Sequence, residues 1–304
     1  MRTAFLFPGQ GAQYVGMGTE VVRESPAARA VFERADDILG YRFSRICFEG
    51  PEDLLQRTDV SQPAILVTSL ATLAYFQQRL GDDFPTCFAA AGLSLGEYSA
   101  LAAAGALEFE HALRLVSRRG ELMQKACEMY PSGMASIIGL DREVVENLCQ
   151  EASEKGVISV CNLNAPGQVA VGGEMPALHV AMEIAKRAGA RRVIPLKVAG
   201  GFHTRLMKPA EEELAEEIRC TPFRKPRFPI VANLSAEYVE DPEEIRISLI
   251  KQLTSPVLWA DSMKRLLSDG VSRFFEIGPG NVLSGLMRRI DRNAECLHAG
   301  PCGM

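Results

Sequence analysis

An α/β fold built on a parallel sheet, with a small βαββαβ subdomain inserted into it, is predicted by three features of this 304-residue chain. Short apolar runs alternate with helical stretches in both halves, the pattern of a parallel sheet covered on both faces. Residues 89–104, AAAGLSLGEYSALAAA, read as the end of a buried strand, a tight turn at Ser94 and an alanine-rich helix. Between residues 134 and 198 the order becomes strand, helix, strand, strand, helix, strand, which is the ferredoxin-like order. Residues 1–129 and 199–290 are therefore expected to form a large α/β domain, 130–198 the subdomain, and 291–304 a flexible tail.

Taken in order, residues 3–7 are an apolar strand that ends at Pro8-Gly9, and a glycine-rich loop follows to Gln13. That loop has neither the G-x-G-x-x-G spacing nor the lysine of a phosphate loop, so its better use is to offer backbone N–H groups to a reacting carbonyl. Helices are expected over 26–39, from 51 to 57 and over 63–80, the last with proline near its first turn. Strand 86–91 leads into the Ser94 turn, and 108–129 is helical. In the insert, strands are expected at 134–140, 157–163, 168–171 and 191–198, with helices capped by Asp141 and over 175–188. Gly200-Gly201-Phe202-His203-Thr204 then breaks the last strand and starts a helix to about residue 219. Strands at 228–232 and 273–277, with helices at 242–253, 257–268 and 282–290, complete the pattern.

Composition narrows the function classes. A formal charge of −5 and the lack of a basic cluster argue against a nucleic-acid footprint. No run reaches the ~20 apolar residues of a membrane helix, and the N-terminal apolar run is too short for a signal peptide. The eight cysteines are scattered, without C-x-x-C pairs or zinc spacing, so reduced thiols in a cytoplasmic protein and no metal are expected.

Gly92-Leu93-Ser94-Leu95-Gly96 fits a nucleophile elbow: glycines two residues either side remove Cβ clashes, and a strained turn lifts the hydroxyl clear of the sheet. The helix that follows aims unpaired N–H groups at any oxyanion formed there. A serine at neutral pH also needs a base. Of four histidines, His111 and His179 fall within helices and His298 in the tail, whereas His203 follows two glycines at a strand end, the edge where α/β enzymes place their sites. Arg119 stands beside Arg118 on a helix; it is either solvated or a bidentate partner for a substrate carboxylate.

Phe7-Pro8-Gly9-Gln10-Gly11-Ala12-Gln13, Gly92 to Ala100, Arg119-Gly120, Asn164 to Gln168, Gly201-Phe202-His203, Gln252 to Val257 and Glu276 to Gly280 occur in that order. Together they closely resemble the malonyl-CoA:acyl carrier protein transacylase family, relatives of the acyltransferase domains of polyketide and fatty acid synthases. The likeness runs from Ala4 to about Ile290. It implies a hydrolase-like core, Ser94 as acylated nucleophile and His203 as general base without an acidic third member. It further implies an oxyanion hole from the N–H groups of Gln10 and Leu95, Arg119 on the malonyl carboxylate, and the Gln252 carbonyl orienting the histidine. Leu93 departs from the histidine common before the serine, and Phe202 is the form that resembles malonyl-selective members.

The expected activity is ping-pong transfer of malonyl from malonyl-CoA to the phosphopantetheine thiol of acyl carrier protein, for fatty acid or polyketide synthesis, by a monomer with no bound cofactor. Because carrier proteins are usually acidic, Arg191, Arg192, Lys197, Arg205 and Lys208 are the expected docking patch. A serine acyl-thioester hydrolase and a catalytically silent carrier-binding module remain the alternatives.

Overall fold

The computed structural model describes residues 2–301, which form one sheet of six strands and one of four. In chain order the strands are β1 Arg2–Phe7, β2 Cys87–Gly92, β3 Ser132–Ile138, β4 Ile158–Ala165, β5 Gln168–Glu174, β6 Arg192–Pro195, β7 Ile230–Val231, β8 Tyr238–Val239, β9 Val271–Glu276 and β10 Glu295–His298. The large sheet runs β10-β9-β1-β2-β7-β8. Its first five strands are parallel, and β8 returns antiparallel on β7.

The period-two alternation of β1 separates two cores, one on each face. Phe5 and Phe7 enter the larger cluster, where Phe5 meets Phe76, Phe84, Phe228 and Phe275 edge-on. Ala4 and Leu6 face the other way, onto Trp259, Met263 and Phe274. A strand buried on both faces must read as a continuous apolar run, and TAFLF does. The β1 and β2 strands lie at the centre of this sheet, so the turn after β2 is held between helices rather than at an edge.

The four-stranded sheet has the order β4-β5-β3-β6 with every pair antiparallel. Helices Arg142–Ala152 and Met175–Arg187 cover one face through Val145, Leu148, Leu178 and Ala181. Main-chain bonds tie the two units beside the functional residues: Leu163 N–H donates to Val257 O at 2.9 Å and Val257 N–H to Cys161 O at 2.8 Å.

Several elements depart from the sequence reading. The tail expected to be flexible contains β10, paired in register from Glu295 opposite Arg273 to His298 opposite Glu276. Four residues are too short to show a period, yet β9 presents an open edge that they satisfy. Residues 302–304, the remainder of that expected tail, and Met1 lie outside the described residues. The helix expected from Pro63 begins at Thr58, five residues earlier, and keeps Pro63 inside its early turns. The strand expected over 191–198 is regular only over Arg192–Pro195, although Leu196 N–H still donates to Met134 O at 2.9 Å. Among the described residues no helix is long and apolar enough to cross a membrane.

Candidate active site

Glycine is required at the turn after β2 for steric reasons. A Cβ on Gly92 would lie 1.9 Å from the Gly96 backbone, and one on Gly96 would lie 2.1 Å from Phe7 O. The chain therefore folds back on itself and against β1 at a distance only glycine permits. Ser94 between them takes φ 55°, a left-handed conformation that costs of order 1–3 kcal/mol and survives only where the surroundings fix it. They do so from both sides. Asn233 Oδ1 accepts from Ser94 N–H at 2.6 Å while its Nδ2 donates to Gly92 O at 2.7 Å, and Gln252 Nε2 donates to Ser94 O at 3.1 Å.

Loop 8–13 packs onto this turn, since a Cβ on Gly9 would meet Leu93 O at 2.2 Å. Leu93 thus lies partly buried under the loop, with its carbonyl accepting from Gly96 N–H. Helix Gly96–Ala103 starts just beyond. Among the described residues neither Gln10 N–H nor Leu95 N–H has a protein acceptor, leaving two donors for an oxygen that develops charge.

His203 Nε2 lies 2.8 Å from Ser94 Oγ, and Nδ1 lies 2.9 Å from Gln252 O. A carbonyl can only accept, so Nδ1 carries the proton and Nε2 of the neutral ring is free to take another. Burial, and next the positive charge of Arg119, push this histidine down to about 4, against the opposing pull of the Gln252 and Ser255 backbone. The ring is therefore neutral across the physiological range. His298 bonds Gly278 O instead, and His111 and His179 stand on helices Phe109–Met129 and Met175–Arg187; none of the three hydrogen-bonds Ser94.

Arg119 is 1% exposed. Helix Phe109–Met129 crosses helix Thr58–Leu80 at Gly120, where a Cβ would sit 2.7 Å from Thr58 O, and this contact turns Arg119 inward while Arg118 reaches out to Glu121 and Glu213. Its Nη1 donates to Gln62 Oε1 at 2.6 Å; Nη2 donates to Gln252 Oε1 and Ser94 Oγ, both at 3.0 Å. With the guanidinium donating to Oγ, the serine's own proton is directed to His203. Burial lowers the Arg119 pKa, opposed first by Tyr98, whose ring lies 5.4 Å from the guanidinium carbon. Its hydrogen-bond acceptors are two amide oxygens and a hydroxyl, and among the described residues no carboxylate bonds it. Phe202 is buried beside the histidine in the large core, and Gln10 Nε2 reaches Thr58 Oγ1 at 3.4 Å.

Three residues of this constellation escaped the sequence reading: Gln62, Glu97 and Asn233. Glu97 is fully buried, and its Oε2 accepts from Gln252 Nε2 at 2.8 Å and Asn233 N–H at 3.1 Å. Burial raises this carboxyl to about 7, less than it otherwise would because those two donors and Arg119 favour the anion. Its signal in the sequence is a lone charge in an otherwise small and apolar helix. Among the described residues no group of three or more His, Cys, Asp or Glu is placed to hold a metal.

An elbow serine, a histidine steadied by a carbonyl and a cation at the hydroxyl equip an α/β protein for acyl transfer through a serine ester. Residues 4–296 match the acyl transferase domain family. The malonyl CoA-acyl carrier protein transacylase of Bacillus subtilis (strain 168) is 42% identical over 298 residues, 97% of this chain and 92% of that protein. Its namesake from Escherichia coli (strain K12) is 41% identical over 287 residues, 94% of this chain and 92% of that one. Among solved structures, the malonyl CoA-acyl carrier protein transacylase of Coxiella burnetii superposes with TM-score 0.95 at 36% identity, covering 98% of this chain and 94% of its own. A malonyl-transacylase solved with its type II PKS acyl-carrier protein gives 0.94 at 39% identity, covering 98% and 96%. The chain belongs to the malonyl CoA-acyl carrier protein transacylase family.

Proposed function

We propose that this protein transfers malonyl from malonyl-CoA to the phosphopantetheine thiol of acyl carrier protein through a malonyl ester of Ser94. The observation that carries the reading is Arg119: a buried cation with only neutral hydrogen-bond partners, 3.0 Å from a serine hydroxyl that is itself 2.8 Å from His203. The buried Glu97 carboxyl offsets this charge in part but does not bond it, and the free carboxylate of a malonyl group supplies an anion that can.

In the first half-reaction His203 Nε2 removes the Ser94 proton as Oγ attacks the thioester carbonyl. The N–H groups of Gln10 and Leu95 receive the oxyanion. The C–S bond breaks, the CoA sulfur takes the proton from His203, and malonyl-Ser94 remains. In the second, the carrier thiol gives its proton to His203 and attacks the ester, after which Ser94 leaves and is reprotonated. The Gln252 carbonyl keeps the ring aligned throughout, and Phe202 disfavours a bulkier acyl group beside it. Given malonyl-CoA and holo acyl carrier protein, malonyl should appear on the carrier faster than free malonate appears in solution; malonate forming at the same rate with or without carrier would make the protein a hydrolase.

The reading includes a cytoplasmic monomer, supported by the seven described cysteines, all free thiols, and a division of the chain at residues 130–198 into insert and large domain. It also includes docking of an acidic carrier on basic surface. Of the patch expected from sequence, Lys208 is paired with Glu211, whereas Arg191 and Arg192 open with Arg288, Arg289 and Arg292 onto a cleft of about 470 Å³. Among the described residues none of those five arginines is in an ion pair. Replacing Arg191 and Arg192 by Ala should raise the KM for carrier about tenfold at low salt and leave the KM for malonyl-CoA nearly unchanged. An unchanged carrier KM would remove this docking surface.

A further inference from the structure

Two residues, Asn233 and Gln252, reach in from outside the turn to hold the Ser94 backbone and the His203 ring. Asn233 spans the turn from Ser94 N–H to Gly92 O. Gln252 does more: its main-chain oxygen holds His203 Nδ1, its Nε2 holds Ser94 O, and its Oε1 holds Arg119. Both residues are fastened to the same oxygen, Oε2 of Glu97, which accepts the Gln252 side chain and the Asn233 backbone. We propose that Glu97 is a positioning residue that keeps the Ser94 hydroxyl and the His203 ring in register by anchoring Asn233 and Gln252. This inference rests on the transferase reading above.

The Gln252 amide can sit in only one orientation. Its oxygen must face the Arg119 guanidinium and its nitrogen must face two acceptors, Ser94 O and Glu97 Oε2. A group at position 97 that cannot accept removes one of the three bonds that prevent the amide from turning over. A turned amide sets N–H against guanidinium and oxygen against carbonyl oxygen, and the helix end that carries the His203 contact loses its anchor. Packing alone does not explain the residue, because an apolar side chain would fill the volume without the cost of burying a carboxyl group. The carboxylate does not bond the reacting atoms: it accepts from Asn233 and Gln252 and acts through them.

The test measures malonyl adduct formation on the full chain by rapid quench and intact mass, over a range of malonyl-CoA concentrations. Glu97→Ala should lower the saturating rate about 100-fold, the scale set by a misplacement of about 1 Å, with the half-saturating concentration changed less than about threefold. Glu97→Gln keeps an oxygen that accepts both donors and should stay within about fivefold of wild type. A folded Glu97→Ala that reacts at the wild-type rate overturns the proposal, as does a folded Glu97→Gln as slow as Glu97→Ala. Should Glu97→Ala fail to fold, Glu97→Asp takes its place: the charge stays but the oxygen is withdrawn by one bond, so a comparable loss supports the assignment and an unimpaired rate overturns it. Wild-type protein that forms no adduct overturns the transferase reading and this inference with it, whereas an active wild type with an unimpaired variant overturns the inference alone.

Discussion

Arg119→Ala should lose malonyl transfer while acetyl transfer survives. The guanidinium is buried against Gln62, Gln252 and Tyr98, where removing one member of a buried ion pair costs about 3–5 kcal/mol. If that energy is realised with the malonyl carboxylate, transfer from malonyl-CoA should fall roughly 10²–10⁴-fold. Acetyl-CoA presents no carboxylate, so its slower reaction should change by less than about tenfold, from the lost contact to Ser94 Oγ. Parallel rate measurements with the two donors decide the matter, and equal losses would remove Arg119 from its proposed role. Arg119→Lys is not a conservative control here, because an ammonium cannot reach Gln62, Gln252 and a carboxylate together.

His203→Ala should slow formation of the serine ester by about 10²–10⁴-fold, the usual contribution of a positioned general base. The histidine is held down to about 4 by burial and by Arg119, so it is largely neutral from a pH unit above that value upward. Protonation inactivates a base, and a lowered pKa moves that loss to lower pH. The wild-type acylation rate should therefore stay within a few fold between about pH 8 and 5.5, where a histidine of ordinary pKa would lose about tenfold. A steep fall centred near 6.5, or a His203→Ala protein that acylates at the wild-type rate, would contradict the assignment.

What could be read from the sequence follows from how local each constraint is. Ser94 is legible because the glycines at positions 92 and 96 answer clashes within one turn and with the adjacent strand. The insert is legible because its strands are largely buried runs of seven or eight residues set off by turn residues, as β3, β4 and β5 are. Arg119 is ambiguous in sequence, since only the crossing of two helices at Gly120 decides which of two neighbouring arginines turns inward. Glu97, Asn233 and Gln62 are lost for a different reason. Their roles arise where segments 136 and 57 residues apart converge, and no spacing rule reaches that far. A buried polar residue in an apolar helix is nevertheless a usable sign, because an unpartnered one would be costly. Gln62 and Glu97 both fit it. The edge strand β10 has no such sign: it forms because β9 leaves a row of unpaired backbone groups for four residues to meet.

Whether Ser94 carries the acyl group is decided by intact-protein mass spectrometry after brief exposure to malonyl-CoA. Wild type should gain the mass of one malonyl group, lose it when holo acyl carrier protein is added, and pass it to the carrier, while Ser94→Ala stays unmodified throughout. A malonyl adduct of equal yield on the Ser94→Ala protein would contradict the account.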